Sequence, residues 1–162
     1  MGIFFSGSEL INIAIGIERN GAVFYDSLAE ATSNPTIHRA YTYLADKERE
    51  HLEIFQDMLQ NVGDYQSPET LTEEYDAYLK ALVNSLLFTD DKVAREIAQK
   101  VSSDAEAIQI ALGAEKDSIL IYSEMQHLVR KPDYDIVNGI IEEEKSHMRQ
   151  LVDLKENLST LQ

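Results

Sequence analysis

Two polar motifs of the same form stand where a helix would place its buried apolar face. Each is a Glu-x-x-His, the first from Glu48 to His51 and the second from Glu144 to His147. Residues three apart lie on one face of a helix, and apolar residues continue that face on both sides of each motif. A buried charge is costly unless it is paired or binds a metal. These four side chains therefore constrain both the fold and the chemistry of the chain.

Apolar residues that recur every three or four positions predict four long helices. The first runs from about Ser8 to Ala31, and the second runs from Pro35 to about Val62. The short turn between them makes these two helices antiparallel neighbours. The third helix begins at Ser103, and the fourth begins near Pro132 and runs nearly to the C-terminus. Residues 64–102 have a weaker helical pattern and are predicted to form a long crossover with one or two short helices.

The two halves of the chain repeat one another. An offset of 97 residues places Glu18 on Glu115 and Tyr25 on Tyr122, and an offset of 96 places the first Glu-x-x-His on the second. The chain is thus interpreted as two copies of a helix pair. In each copy the first helix contributes a Glu to the buried face, and the second helix contributes a Glu-x-x-His.

The repeats together supply four carboxylates and two imidazoles on four helices. These candidate metal ligands are Glu18, Glu48, His51, Glu115, Glu144 and His147. Carboxylates can bridge two cations and neutralise their charge, and imidazole suits iron or manganese. The set is that of a carboxylate-bridged site for two iron or two manganese ions in a four-helix bundle. The alternative is a metal-free polar network in which Glu and His side chains pair with one another.

Composition narrows the possible functions further. The chain contains no cysteine, which excludes disulfides, thiolate zinc sites and iron–sulfur clusters. A formal net charge of −15 argues against nucleic acid and anionic membrane surfaces as partners. No signal peptide or membrane-spanning segment is visible, so we expect a cytoplasmic protein. The length of 162 residues predicts one domain that spans residues 1–162.

The motifs resemble those of the rubrerythrin-like proteins in the ferritin-like superfamily. The resemblance rests on the two Glu-x-x-His motifs with Glu18 and Glu115, and it covers the four long helices and the crossover. It implies an all-α four-helix bundle of ferritin-like topology, with the long crossover between the second and third long helices. It also implies that Glu48 and Glu144 bridge two metals and that each His binds one. Glu18 and Glu115 would then be terminal ligands.

The resemblance extends to two tyrosines. Tyr25 and Tyr122 follow the helix-1 and helix-3 glutamates by seven residues, as do tyrosines that hydrogen-bond near the metals in rubrerythrins. It implies that both tyrosines take part in catalysis beside the metals. Ordinary core packing is the alternative, because a buried Tyr generally finds a hydrogen-bond partner in any case.

Two departures from the rubrerythrin pattern bear on activity. Without cysteine there is no rubredoxin-type iron centre in the sequence, so electrons are expected from an external electron-donor protein. Ser118 stands where rubrerythrins carry an extra Glu. Gly21 and Ser118 are both small and are interpreted as leaving space for oxygen or peroxide. A Leu at Gly21 is then expected to stop peroxide turnover without releasing metal.

The leading functional hypothesis is a non-haem di-iron oxidoreductase that reduces hydrogen peroxide or oxygen. One alternative is a ferroxidase or iron-handling protein that uses the same site to oxidise Fe(II). Another is a metal-binding helical interaction module without turnover. Manganese or a mixed metal pair stays open beside two iron ions, and we expect a homodimer. Four further acidic residues fall off the apolar faces and are predicted to be surface charges: Glu50, Glu53, Glu142 and Glu143.

Overall fold

The computed structural model describes residues 5–67 and 71–160, which form six α-helices, one short 3-10 helix and no strand. The four long helices are α1 (Gly7–Ala31), α2 (Pro35–Val62), α5 (Asp104–Met125) and α6 (Lys131–Glu156). Two shorter helices, α3 (Glu73–Asn84) and α4 (Asp91–Lys100), lie in the connection between α2 and α5. The predicted all-α bundle with its long crossover is therefore confirmed.

The ends of the first two helices follow from local side-chain chemistry. Helix α1 begins at Gly7, one residue before the predicted start near Ser8, because Ser6 is its N-cap. The Ser6 hydroxyl accepts a hydrogen bond from the Glu9 N–H, and the Glu9 carboxylate accepts one from the Ser6 N–H. Asn34 caps α2, as its position before Pro35 suggests. Gly63 ends α2 with a φ of 54°, a backbone angle that residues with a side chain rarely adopt.

The long helices are arranged as two pairs. Helix α1 packs along α2, helix α5 packs along α6, and contacts of α1 with α5 and of α2 with α6 join the pairs. The crossover helices add to the outside of this bundle, since α4 packs on α1 and α3 packs on α5. Within the described residues, no helix combines the length and the apolarity that crossing a membrane requires.

The core consists of two apolar clusters with a charged layer between them. One cluster includes Ile11, Phe55, Tyr122 and Val137, and the other includes Phe24, Tyr41, Ile108 and Leu151. The predicted inward faces of α1, α2 and α5 are buried throughout. On α6 the face is buried through Leu151, whereas Leu154 and Leu158 are half-buried. Leu161, the last position of that predicted face, lies outside the described residues.

Candidate metal centre

All six predicted ligands meet in the layer between the two apolar clusters. Glu18 and Glu115 project from α1 and α5, and the two Glu-x-x-His motifs project from α2 and α6. None of the six residues is more than 3% exposed. The helical period places each Glu and His on the inward face of its helix, and the pairing of the helices brings the four faces together.

The six side chains form two overlapping groups of possible ligands. One group contains Glu18 and His51, the other contains Glu115 and His147, and Glu48 and Glu144 belong to both. Within each group the nearest ligand atoms all lie within 4.8 Å of one another. A ligand that bridges two metal ions has to belong to the ligand groups of both ions, and Glu48 and Glu144 meet this requirement.

Several atoms in this layer have no hydrogen-bond partner. Among the described residues, six buried side-chain nitrogen or oxygen atoms are unsatisfied, and four of them belong to the predicted ligands. The four are Glu18 Oε2, Glu48 Oε1, His51 Nδ1 and Glu144 Oε1. Two of the four, His51 Nδ1 and Glu144 Oε1, lie 2.9 Å apart and can pair when the imidazole is protonated. Glu18 Oε2 and Glu48 Oε1 remain unpaired, and buried polar groups in native proteins are nearly always paired.

Both histidines turn the same ring nitrogen toward the carboxylates. His51 Nδ1 lies 2.9 Å from Glu144 Oε1 and 3.5 Å from Glu18 Oε2. His147 Nδ1 lies 3.2 Å from Glu144 Oε2, and 3.7 Å from both Glu48 Oε1 and Glu115 Oε2. The two imidazole rings stack with their centroids 5.8 Å apart. Glu144 therefore stands between the two histidines.

The layer holds more acid than it can keep ionised without a cation. Burial, together with the charge of Glu144, raises the pKa of Glu18 well above its usual value. Burial and the charge of Glu18 do the same to the pKa of Glu48. Burial and the nearby Glu144 raise the pKa of Glu115 to about 8. Carboxylates that repel one another in a buried site favour either protons or a metal ion.

The histidines and Glu144 shift in the opposite sense, toward their charged forms. Burial lowers the pKa of His51, but its interactions with Glu144, Glu48 and Glu143 together outweigh burial and raise the value to about 9. Contacts with Glu115 and Glu144 similarly outweigh burial and raise the pKa of His147 to about 10. Burial raises the pKa of Glu144, yet its contacts with Glu115 and both histidines hold it well below the usual value. Metal-free, the site is thus a cluster that shares protons between acids and imidazoles.

The two predicted tyrosines bind carboxylates across the bundle. The Tyr25 hydroxyl on α1 donates a hydrogen bond to Glu115 Oε1 on α5. In the mirrored contact, the Tyr122 hydroxyl on α5 donates to Glu18 Oε1 on α1 at 2.5 Å. Burial and the neighbouring carboxylates raise the pKa of both tyrosines well above the usual value, so each keeps its proton. The internal repeat is therefore reproduced in this pair of hydrogen bonds.

Glu143 makes a contact that the periodicity did not predict. It was expected to be a plain surface charge, and its side chain is indeed 48% exposed. However, Glu143 Oε2 lies 3.1 Å from His51 Nε2, the ring nitrogen that faces away from the carboxylate layer. Periodicity gives no signal for this contact, because it joins α6 to α2 across the bundle. The other three predicted surface charges are exposed: Glu50, Glu53 and Glu142.

Gly21 lies closer to the predicted ligands than its predicted role as a spacer implies. A Cβ atom at this position would lie 2.8 Å from Glu48 Oε2. Part of the room that the glycine leaves is therefore taken by the Glu48 carboxylate. A Leu at Gly21 would displace a predicted ligand, so the expectation that it would stop turnover while leaving metal in place is revised.

A small cavity connects the carboxylate layer with the surface between α1 and α5. Its wall includes the buried Glu48 and Glu115 and, on the crossover, Leu87, which is 38% exposed. It leaves about 20 Å³ for the centres of water-sized molecules, which suffices for one or two small molecules. Three repeat-related pairs of residues line it: Ile17 and Ala114, Asn20 and Asp117, Gly21 and Ser118.

Two hydrogen bonds hold the crossover over this cavity. The Asn20 side-chain amide donates to the Phe88 carbonyl at 3.3 Å, and the Leu87 N–H donates to Asp117 Oδ2 at 2.9 Å. Asn20 and Asp117 are related by the repeat, so equivalent positions on α1 and α5 hydrogen-bond to the same crossover segment. The crossover thus forms the outer wall of the cavity.

Comparison with known proteins places this geometry in a family. The sequence matches the family model described as Rubrerythrin over residues 9–155. The fold is similar to a crystal structure from Thermotoga maritima, described as a candidate ferritin-like diiron-carboxylate protein. The two chains share 28% sequence identity with a TM-score of 0.69, over 96% of this chain and 98% of that one. Among curated proteins, none matches the chain. Because the family model spans both repeats and all six buried Glu and His residues, the chain belongs to the Rubrerythrin family.

Proposed function

We propose that the chain is a non-haem di-iron oxidoreductase of the rubrerythrin type that reduces hydrogen peroxide or oxygen. The observation that carries this proposal is the pair of overlapping ligand groups that share Glu48 and Glu144. Carboxylate and imidazole donors suit iron or manganese. Two buried ligand oxygens without a hydrogen-bond partner, Glu18 Oε2 and Glu48 Oε1, also support a bound cation.

Each residue has a defined task in this proposal. Glu48 and Glu144, which belong to both ligand groups, would be shared between two iron ions, and the remaining Glu and His of each group would hold one ion. Two iron ions, when bound, supply the electrons that reduce the oxidant and the positive charge that stabilises the reduced oxygen atoms. The Tyr25 and Tyr122 hydroxyls hold the terminal carboxylates in place and keep a proton within hydrogen-bond distance of the site.

The size of the cavity supports a small oxidant. About 20 Å³ for molecular centres admits a molecule of the size of oxygen or hydrogen peroxide and excludes a drug-sized organic substrate. Ile17, Ala114 and Phe88 give its wall a largely apolar character and keep bulk water away from the layer. The oxidant would enter beneath the crossover and meet the site beside Glu48 and Glu115.

The proposal includes an electron donor outside this sequence. The 162 residues include no cysteine, so they cannot hold an iron centre with thiolate ligands. In the described residues, the two overlapping groups are the candidate metal clusters. In this proposal, a one-electron carrier outside these residues returns the site to its reduced form after each turnover. A ferroxidase would need no such carrier, because Fe(II) itself would be the reductant.

The first experiment is metal loading. The protein is loaded anaerobically with Fe(II), unbound metal is removed, and iron per chain is measured. We expect about two iron ions per chain for this ligand set. Glu144→Ala should lose metal and keep its helices, as judged by circular dichroism. Glu142→Ala removes the same charge from the exposed side of the same helix and should bind as the wild type does.

The second experiment identifies the reaction. The reduced, loaded protein is mixed with hydrogen peroxide or oxygen, and Fe(II) oxidation is followed with and without an added one-electron reductant. Turnover of either oxidant that continues only with the reductant supports the proposal. Continued oxidation of added Fe(II) with mineral formation would instead identify a ferroxidase. A site that stays reduced in both oxidants would refute an oxidoreductase of either kind.

A further inference from the structure

The two histidines of the site differ in what their outer ring nitrogens contact. His51 presents Nδ1 to Glu144 and Glu18, while its Nε2 lies 3.1 Å from Glu143 Oε2. His147 also turns Nδ1 inward. No carboxylate among residues 5–67 and 71–160 lies within 4.0 Å of its Nε2. A carboxylate therefore supports one imidazole and not the other.

The internal repeat makes this difference unexpected. The offset of 96 that superimposes the two Glu-x-x-His motifs pairs Glu143 with Lys47. The residue directly before the motif is thus an acid in one half and a base in the other. The Lys47 ammonium lies 4.0 Å from Glu143 Oε2 and 2.8 Å from Glu50 Oε2. An ammonium cannot accept a hydrogen bond, so position 47 does not give His147 a counterpart of Glu143.

A carboxylate behind a metal-binding histidine has two effects. It accepts a hydrogen bond from Nε2–H, which fixes the tautomer and leaves the lone pair on Nδ1 free for a metal. It also makes the imidazole a stronger donor and fixes the orientation of the ring. Removing such a partner generally costs about 10–100-fold in metal affinity. Because Glu143 is half-exposed, we expect the lower end of this range.

We propose that Glu143 is a positioning residue that makes the subsite of His51 and Glu18 bind metal more tightly than the subsite of His147 and Glu115. The two subsites then fill in order, the Glu143-supported one first, although the internal repeat makes their ligand sets identical. This inference rests on the metal site of the proposed function. It adds an assignment within that site, namely which half binds first and which residue outside the ligand set is responsible.

The test is a binding titration with Mn(II), in which the electron paramagnetic resonance signal of the free ion reports the unbound metal. We expect the wild type to bind two ions in two steps that differ by about tenfold in affinity. Glu143→Ala should weaken the tight step by about tenfold and leave the weak step in place, so that the steps merge. Glu143→Gln keeps an acceptor oxygen without the charge and should recover part of the loss.

Glu142→Ala is the matched control. Glu142 is the neighbouring residue, carries the same charge, and pairs with Lys145 at 2.7 Å on the exposed side of α6. This variant should bind both ions as the wild type does. An unchanged tight step in Glu143→Ala, or an equal loss in Glu142→Ala, would overturn the role of Glu143 while leaving the di-metal site intact. Failure of the wild type to bind any Mn(II) or Fe(II) would overturn the site itself, and this inference with it.

Discussion

Replacing Gly21 by alanine tests whether the position of one shared carboxylate sets the affinity for metal. A Cβ at this position would lie 2.8 Å from Glu48 Oε2 and 3.3 Å from Glu48 Cδ. Ordinary contacts of a Cβ begin at 3.4 Å, so the oxygen has to move by the difference between 3.4 and 2.8 Å. It can move because it is the end of a flexible side chain, but it moves within a closely packed layer.

This displacement is large on the scale of metal coordination. Ligand distances in a metal site hold to within about 0.2 Å, and the shift at Glu48 is about three times that. We expect Gly21→Ala to weaken metal binding by about 10–100-fold, the range seen when the support of a ligand is disturbed. Because Glu48 belongs to both ligand groups, binding of both ions should weaken.

Gly16→Ala is the matched control in the same helix. A Cβ at Gly16 meets nothing within 4 Å, so the change adds only helix propensity. Its free energy of unfolding should rise by about 0.5–1 kcal/mol, which corresponds to a melting temperature higher by about 1–4 °C. The propensity gain at Gly21 is the same. Any difference between the two variants therefore reports the contact with Glu48.

The assay is anaerobic Fe(II) binding, together with thermal unfolding of the metal-free variants. We expect Gly16→Ala to bind iron as the wild type does and to melt higher. Wild-type affinity in Gly21→Ala would refute the reasoning, because it would show that Glu48 reaches the metals equally well from another position. An equal loss of iron in both variants would place the cause in the helix rather than in the carboxylate.

Two further predictions concern the metal-free protein. Burial raises the pKa of Glu115 to about 8, and contact with Glu144 raises that of His51 to about 9, so the folded state holds more protons than the unfolded state near neutral pH. The free energy of unfolding should therefore fall as the pH rises from about 5 to 9. It can be measured by chemical denaturation at several pH values. A rise across this interval would contradict the assigned causes of the pKa shifts. The second prediction compares Tyr25→Phe with Tyr41→Phe. Tyr25→Phe leaves a buried oxygen of Glu115 without its donor and should lower the free energy of unfolding by about 1–3 kcal/mol. The Tyr41 hydroxyl has no hydrogen-bond partner in the described residues, so Tyr41→Phe should leave the free energy of unfolding unchanged. Equal losses of stability in denaturant titrations of the two variants would count against the hydrogen bond.

Much of the fold and the candidate ligand set could be predicted from the sequence because both depend on periodicity. A helix repeats every 3.6 residues, so the inward position of Glu18 or His51 can be assigned by counting from its apolar neighbours. The internal repeat then matched Glu18 with Glu115, and the structure brings both to the same layer. Burial of every residue on the predicted faces of α1 and α2 follows from the same period.

The features that periodicity missed depend on how helices pack rather than on which face points inward. Counting places Glu143 off the buried face, but His51, which is 92 residues away in sequence, reaches across from α2 to meet it. The distance from Gly21 to Glu48 depends on how closely α1 approaches α2, which side-chain packing decides. The exact start of α1 depends on a local contact, namely the reciprocal hydrogen bonds between Ser6 and Glu9.

The sequence by itself therefore determined the helices, their inward faces and the six residues that could bind metal, because each follows from spacing along one chain segment. Only the tertiary structure decided that two carboxylates are shared between two groups, that one histidine has a carboxylate behind it, and that the crossover walls a cavity between α1 and α5. The physical reason is that these features are distances between helices. They are fixed by the packing of the whole bundle, and no periodic pattern within one helix contains them.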